Sequence, residues 1–228
     1  MYGVRTSARS RRLTLRVYPG GRVEVTVPTK TPQSVITEFV AKHRVWIDQR
    51  VLRAREQSPA AIDLKPTQVE LRALNETWQV EYLAQSRRPW EESSDGLRLL
   101  RVRGAEDASR CGSHLRAWLR QVATDRLDGW LHSVAQHYDF QYTRMQVRRQ
   151  QTRWGSCSRS GTISLNVCLL FQAPEVVRYL LLHELCHTRH MNHSDHFWKL
   201  VAQCEPEWRV LDRELSSGWQ RVPGWVFA

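Results

Sequence analysis

The chain of 228 residues lacks any apolar run approaching the roughly eighteen residues that a helix needs to cross a bilayer, so no helical membrane span is expected. Behind its basic N-terminus, Met1 to Arg12, there is no apolar stretch of signal-peptide length, and a cytoplasmic location is the default expectation. Cysteine is sparse: five residues, an odd number with no C-x-x-C pair, which argues against a disulfide framework and for reduced thiols. Lysine is nearly missing as well. Thirty of the 34 cationic residues are arginine and the net charge is +11, with clusters over residues 5–16, 98–110 and 144–153. Guanidinium groups suit phosphate and carboxylate, which makes nucleic acid or an acidic protein a candidate partner; the plainer reading is an arginine preference on solvated faces. Internal repeats and low-complexity tracts are absent too. What is abundant is core material, 41% hydrophobic residues with ten tryptophans, and that excludes a disordered chain.

Alternation sets the organisation of the first half. Leu13, Leu15 and Val17 share one face, Gly20-Gly21 forms a turn, and Val23, Val25 and Val27 return, which predicts a hairpin ending at Pro28. Pro32 and Ser34 open a helix with Val35, Phe39, Lys42, Trp46 and Leu52 near helical spacing, and Ser58-Pro59 reads as a linker. Val69 to Leu71, Trp78 to Tyr82 and Leu97 to Val102 read as strands around a polar loop over 87–96. A helix is predicted from Asp107 to about Tyr138, on the stripe Leu115, Leu119, Val122, Leu127, Leu131 and Val134. Met145 to Arg148 and Thr162 to Leu169 read as further strands. The expected class is α+β, with a β-rich N-terminal region over 1–105 and a helical domain over 106–228.

The chemistry is concentrated in His183-Glu184-Leu185-Cys186-His187. Pro174 suits a first helical turn, and Val176, Val177, Leu180, Leu181 and Leu185 predict a buried helix running to about Arg189. Four residues apart, His183 and His187 project from the same side and can grip one ion. Glu184 falls beside that ion, where a carboxylate can take a proton from water and pass it to a leaving amine; zinc, which brings the pKa of its water to about 7, is the expected metal. A core reading, two histidines satisfied by backbone, has to leave ionisable groups on an apolar helix without partners, which is costly. Cys186 is a poor fourth ligand, turned about 100° from the face of His187.

Three further histidines follow within nine residues, and a catalytic zinc takes three protein ligands with one position left for water. His190 continues the same helical face but lies too far along it to close round one ion. His193 stands between Asn192, suited to a left-handed helix end, and Ser194, a natural N-cap for the next helix, so a chain reversal would return it to the metal. His196, Glu205 and Glu207 are the remaining rivals.

Three linked motifs in order complete the pattern. They are Arg153-Trp154-Gly155-Ser156-Cys157; Gly161-Thr162-Ile163-Ser164-Leu165-Asn166; and the H-E-L-x-H segment followed by Asn192-His193-Ser194 and Phe197-Trp198. With the N-terminal hairpin and the Trp46 helix, the chain resembles the YgjP-like metallopeptidases, relatives of the SprT-like zinc peptidases, over nearly its whole length. The resemblance implies a zincin-like site with His183, His187 and His193 as zinc ligands, Glu184 as the base and an edge strand beside the metal. In such folds that strand pairs with an extended polypeptide substrate, which places Thr162 to Leu169 there and nominates Leu165 and Asn166 for substrate binding; the alternative is that Trp154, Ser156 and Asn166 brace a turn. A catalytic Cys157 is disfavoured because zinc already accounts for the histidines. The competing function is a nucleic-acid-associated protein, either an SprT-like protease acting on DNA-bound proteins or a binding module with a structural zinc.

Overall fold

A computed structural model describes residues 2–18, 21–56, 63–85, 87–93 and 96–228. The chain divides into two compact units, Met1–Ala60 and Ala61–Ala228. In the first, strands β1 (Gly3–Ser7), β2 (Thr14–Val17) and β3 (Val23–Pro28) form a sheet in the order β1-β3-β2. The expected hairpin is the antiparallel β2–β3 pair, with Leu15 opposite Val25; Gly20 of its turn lies outside the described residues, while Gly21 takes φ 82°, a conformation glycine adopts freely. The parallel partner β1 has no alternation to announce it.

The single helix expected after Pro32 is two, α1 (Gln33–Lys42) and α2 (Arg44–Glu56). The break at His43, whose Nδ1 lies 2.8 Å from the Phe39 carbonyl, shifts the phase of the second helix. Positions counted across it therefore do not share a face: Ile36 and Ile47 are buried, whereas Val35, Trp46 and Leu52 are exposed. The linker expected at Ser58-Pro59 lies outside the described residues.

Among the described residues, the second unit holds two sheets and four α-helices. Strands β4 (Gln68–Leu71), β5 (Glu76–Leu83), β6 (Trp90–Glu92) and β7 (Leu99–Arg103) form one sheet in the order β4-β5-β7-β6. Strand β6 falls in the segment expected to be a loop; a three-residue strand pairing antiparallel with β7 is too short for alternation to register. Helix α3 (Ala108–His137) begins where Asp107 accepts hydrogen bonds from the Ser109 and Arg110 amides at 2.9 and 3.1 Å, and it buries the predicted stripe. Strands β8 (Arg144–Arg148), β9 (Gly155–Cys157) and β10 (Thr162–Asn166) form the other sheet, with β10 in the middle. Helices α4 (Pro174–Cys186), α5 (Asp195–Cys204) and α6 (Trp208–Ser217) follow.

The fold is therefore α+β, as expected. One continuous core runs from Val69, Leu100 and Val102 of the first sheet through Leu115 and Leu131 of α3 to Leu181 and Leu185 of α4. The contacts divide at Ala60, and the boundary expected at 105/106 runs through this shared core, because the strands of 68–103 bury their apolar face with the helices that follow them. Among the described residues, no helix is long and apolar enough to cross a membrane.

The cap of α3 gives a direct test. Replacing Asp107 with Ala should cost about 1 kcal/mol and lower the thermal midpoint by roughly 2–4 °C, as measured by circular dichroism melts.

Candidate metal centre

Helix α4 is largely apolar, and Val176, Val177, Leu181, Leu182 and Leu185 are fully buried. That burial fixes its rotation and so directs His183 and His187 to one side, with ring centroids 5.0 Å apart. The helix stops at Cys186, with His187 at its C-cap, earlier than the sequence suggests, and Asn192 is not in the left-handed region. The reversal happens instead through a turn in which the Arg189 and His190 amides both donate to the Cys186 carbonyl. It returns His193 to α4 just before α5, which starts after Ser194 as expected, although the Ser194 side chain makes no capping bond.

One ring nitrogen from each of His183, His187 and His193 lies within 4.8 Å of the others, and His183 Nε2 is 3.1 Å from His193 Nε2. Hydrogen bonds set the tautomers. His187 Nδ1 donates to the His190 carbonyl at 3.0 Å, which leaves its Nε2 as a lone pair. The Tyr179 hydroxyl donates to Asp212 Oδ1 at 2.9 Å, so its own lone pair faces His183 Nδ1 at 3.4 Å, and His183 Nε2 is left bare as well. These nitrogens turn toward one another, and a proton on His193 Nε2, or a cation, would bridge the contact. Two of them at 3.1 Å are close to the roughly 3.3 Å spacing that tetrahedral coordination at 2.0–2.1 Å demands. Burial, and then the neighbouring His187 and His193, pull the His183 pKa down to about 3; burial likewise lowers that of His187. Both rings are therefore neutral at pH 7, as metal ligation requires.

Parallel rings hold the exposed His193. It stacks on Trp198 at 5.4 Å, Trp198 stacks on Trp208 of α6 at 4.4 Å, and the Arg209 guanidinium covers Trp208 at 4.5 Å. Phe197 lies parallel to His187 at 4.4 Å. The rival ligands are engaged elsewhere: His190 and His196 stack on each other, Glu205 pairs with Arg178 at 2.5 Å, and Glu207 starts α6.

Glu184 is only 4% exposed, and its Oε2 has no hydrogen-bond partner. Burial pushes its pKa up to about 8, with Arg153 opposing the shift. An unpaired buried carboxyl beside a histidine cluster is expensive to keep. It rests against β9. A Cβ at Gly155 would stand 2.6 Å from Glu184 Oε1, so glycine here makes room for the acid.

The strand assignments change at this point. Strand β10 is central, flanked by β8 and β9, and the edge beside Glu184 is β9, in the segment where a tight turn was expected. Leu165 is buried. Asn166 is fully buried, and its Nδ2 donates to the Gln150 and Arg153 carbonyls while its Oδ1 accepts from the Cys168 amide. These bonds make Asn166 a brace for the chain entering β9, and neither Leu165 nor Asn166 faces a substrate. Burial and then Glu184 push the Cys157 pKa up to about 11, which disfavours its thiolate at neutral pH. Cys186 is fully buried, outside the histidine cluster. Sequence reasoning missed Tyr179, Asp212 and Gly155. Tyr179 stands four residues before His183, a spacing that puts it on the same face, whereas nothing local ties Asp212 to the site.

The pattern described as "YgjP-like, metallopeptidase domain" matches residues 11–218 of the chain. No curated protein matches it in sequence. Among solved structures, the metallopeptidase zymogen of Pyrococcus abyssi abylysin aligns at 27% identity, over 38% of this chain and 89% of that one, with a TM-score of 0.34.

The two perturbed groups act on stability in different pH windows. In the metal-free protein, folded Glu184 keeps its proton to about pH 8 and the unfolded chain only to about 4.5, so stability falls as pH rises through that range. Neutral His183 acts below about pH 6.5, where stability falls as pH drops. With metal removed by chelator, the thermal midpoint of Glu184→Gln should therefore gain on that of the wild type between about pH 6.5 and 8.5. A constant difference would assign the effect to packing.

Proposed function

The chain belongs to the YgjP-like metallopeptidase family, and on that premise we propose that it is a zinc-dependent peptidase in which His183, His187 and His193 hold the metal and Glu184 is the general base. The observation that carries the reading is the convergence of three imidazoles beside a buried carboxyl with a free oxygen. An all-nitrogen set of three suits zinc and leaves a position open for chemistry. A zinc ion held there supplies the positive charge that polarises water and a scissile carbonyl and keeps Glu184 ionised at neutral pH.

The remaining steps belong to the chain's own residues. Glu184 takes a proton from the attacking water and delivers it to the leaving amine nitrogen. Gly155 keeps the carboxylate seated by offering no side chain against it. Tyr179, backed by Asp212, holds His183 in the tautomer that presents Nε2. Strand β9 pairs with β10 on one side and, among the described residues, with no strand on the other; its free edge suits an extended polypeptide bound by main-chain hydrogen bonds next to the base. A cytoplasmic setting fits the five unpaired thiols.

Glu184→Gln should retain zinc and lose on the order of 10²–10⁴-fold in hydrolysis of an unfolded protein that the wild type cleaves. Wild-type turnover by this variant, measured beside its metal content, would remove Glu184 from the mechanism. Tyr179→Phe deletes the hydroxyl that links His183 to Asp212 and should weaken zinc binding about 10-fold to 100-fold. Competition with a chromophoric chelator reads that loss without reference to activity.

A further inference from the structure

A second feature lies at the opposite edge of the sheet that carries β9. Between helix α3 and strand β8 is an open cavity of about 960 Å³, lined by Arg116 and Arg120 from the helix and by Gln146, Arg148 and Arg149 from the strand and its extension. No acidic residue lines it, and none of the four arginines forms an ion pair among the described residues. Two are anchored from behind: Arg116 Nη1 donates to the Trp225 carbonyl at 3.1 Å, and Arg149 Nη1 to the Val226 carbonyl at 2.9 Å. Each anchor occupies one of five guanidinium N–H groups and leaves the others for a ligand. The pair is mutually repulsive, since burial, and then the charge on Arg149, lower the pKa of Arg116. Four cations gathered in a concave site without a counter-charge call for an anionic ligand.

The lining selects among anions. No aromatic side chain faces the cavity, so a single-stranded nucleic acid finds nothing to stack its bases on. What the cavity does offer is strand edge. Strand β8 pairs in parallel with β10 and, among the described residues, carries no strand on its other side. Residues 146–148, which line the cavity, belong to that edge. A free edge bordered by forked cations matches an extended polypeptide whose carboxylates are gripped bidentately while its backbone continues the sheet.

We propose that the groove between α3 and β8 binds acidic, extended polypeptide segments through Arg116, Arg120, Arg148 and Arg149. That such a segment belongs to the substrate rests on the peptidase reading; its binding does not, and the two are tested apart.

The test uses the full-length metal-free protein and a fluorescein-labelled peptide of alternating Glu and Gly, followed by anisotropy at about 50 and 200 mM salt. Saturable binding that weakens with salt is expected, because exposed ion pairs are screened. Arg116→Gln/Arg120→Gln on the helix and Arg148→Gln/Arg149→Gln on the strand should each lower affinity roughly ten-fold or more; two independent variants keep the test decisive if one folds poorly. Arg101→Gln, at an exposed arginine paired with Glu81, should bind as the wild type does. Equal binding by wild type and both groove variants, or no binding at the lower salt, overturns the proposal. A single-stranded oligonucleotide of matching charge that binds more tightly than the peptide, and loses affinity in the same two variants, overturns it in favour of nucleic acid. Since no metal is present, these outcomes do not depend on whether Glu184 catalyses hydrolysis.

Discussion

Everything around the histidine cluster answers one constraint: three imidazoles must each turn a ring nitrogen toward a common point. The fold restrains two of the rings by engaging the far nitrogen of each. A backbone carbonyl holds His187, and a tyrosine backed by a carboxylate holds His183. His193 has no comparable partner and is instead clamped by stacking on Trp198. For His183 and His187 burial supplies the rest, because desolvation penalises the imidazolium. Burial also raises the pKa of Glu184, so the same helix carries two imidazoles and a carboxyl that all favour their uncharged forms.

This arrangement explains why the chain after the motif matters. Helix α6 contributes Asp212 behind Tyr179 and Trp208 behind Trp198, so His183 and His193 are both steadied by one element further along the chain. Helix α4 alone could bring two histidines together but could fix neither tautomer. On the other side, the segment before β10 is tied down by Asn166, whose buried amide holds the carbonyls of Gln150 and Arg153. That tie places Gly155 against Glu184. The three sequence motifs are thus three walls of one site.

Much of this was legible in the sequence, because the signals were local. The apolar helix, the i, i+4 histidines, the intervening glutamate and the cap of α3 depend on residues within a turn or two of each other. His193 was legible for a less direct reason: ligand geometry demanded a reversal, and the residues from 188 to 194 could supply one, although the chain turns earlier than Asn192. What failed was information carried by pairing. Whether Thr162 to Asn166 is an edge or a centre depends on which strands flank it, and a three-residue strand such as β9 leaves no periodic trace. Hence Leu165 and Asn166 are buried in a central strand, and the substrate-facing role expected of them is proposed for β9 instead. The helix break at His43 and the Tyr179–Asp212 pair were hidden similarly, the first by a phase shift inside an unbroken helical composition, the second by a contact spanning 33 residues.

The charge distribution fits this division of the sheet. A cation site gains nothing from surrounding arginines, since each adds repulsion in a poorly screened interior. Arg153 is the cation that bears on Glu184, and the arginine-lined groove lies beyond β10 along β8, two strand spacings or roughly 10 Å from β9. Repulsion between a dication and four guanidinium groups falls with that distance and with the salt between them. A polypeptide can span it readily, because three or four extended residues cover about 10 Å. Two edges of one small sheet can therefore engage the same polymer, one through its charges and the other at the bond beside Glu184, without the first disturbing the electrostatics of the second.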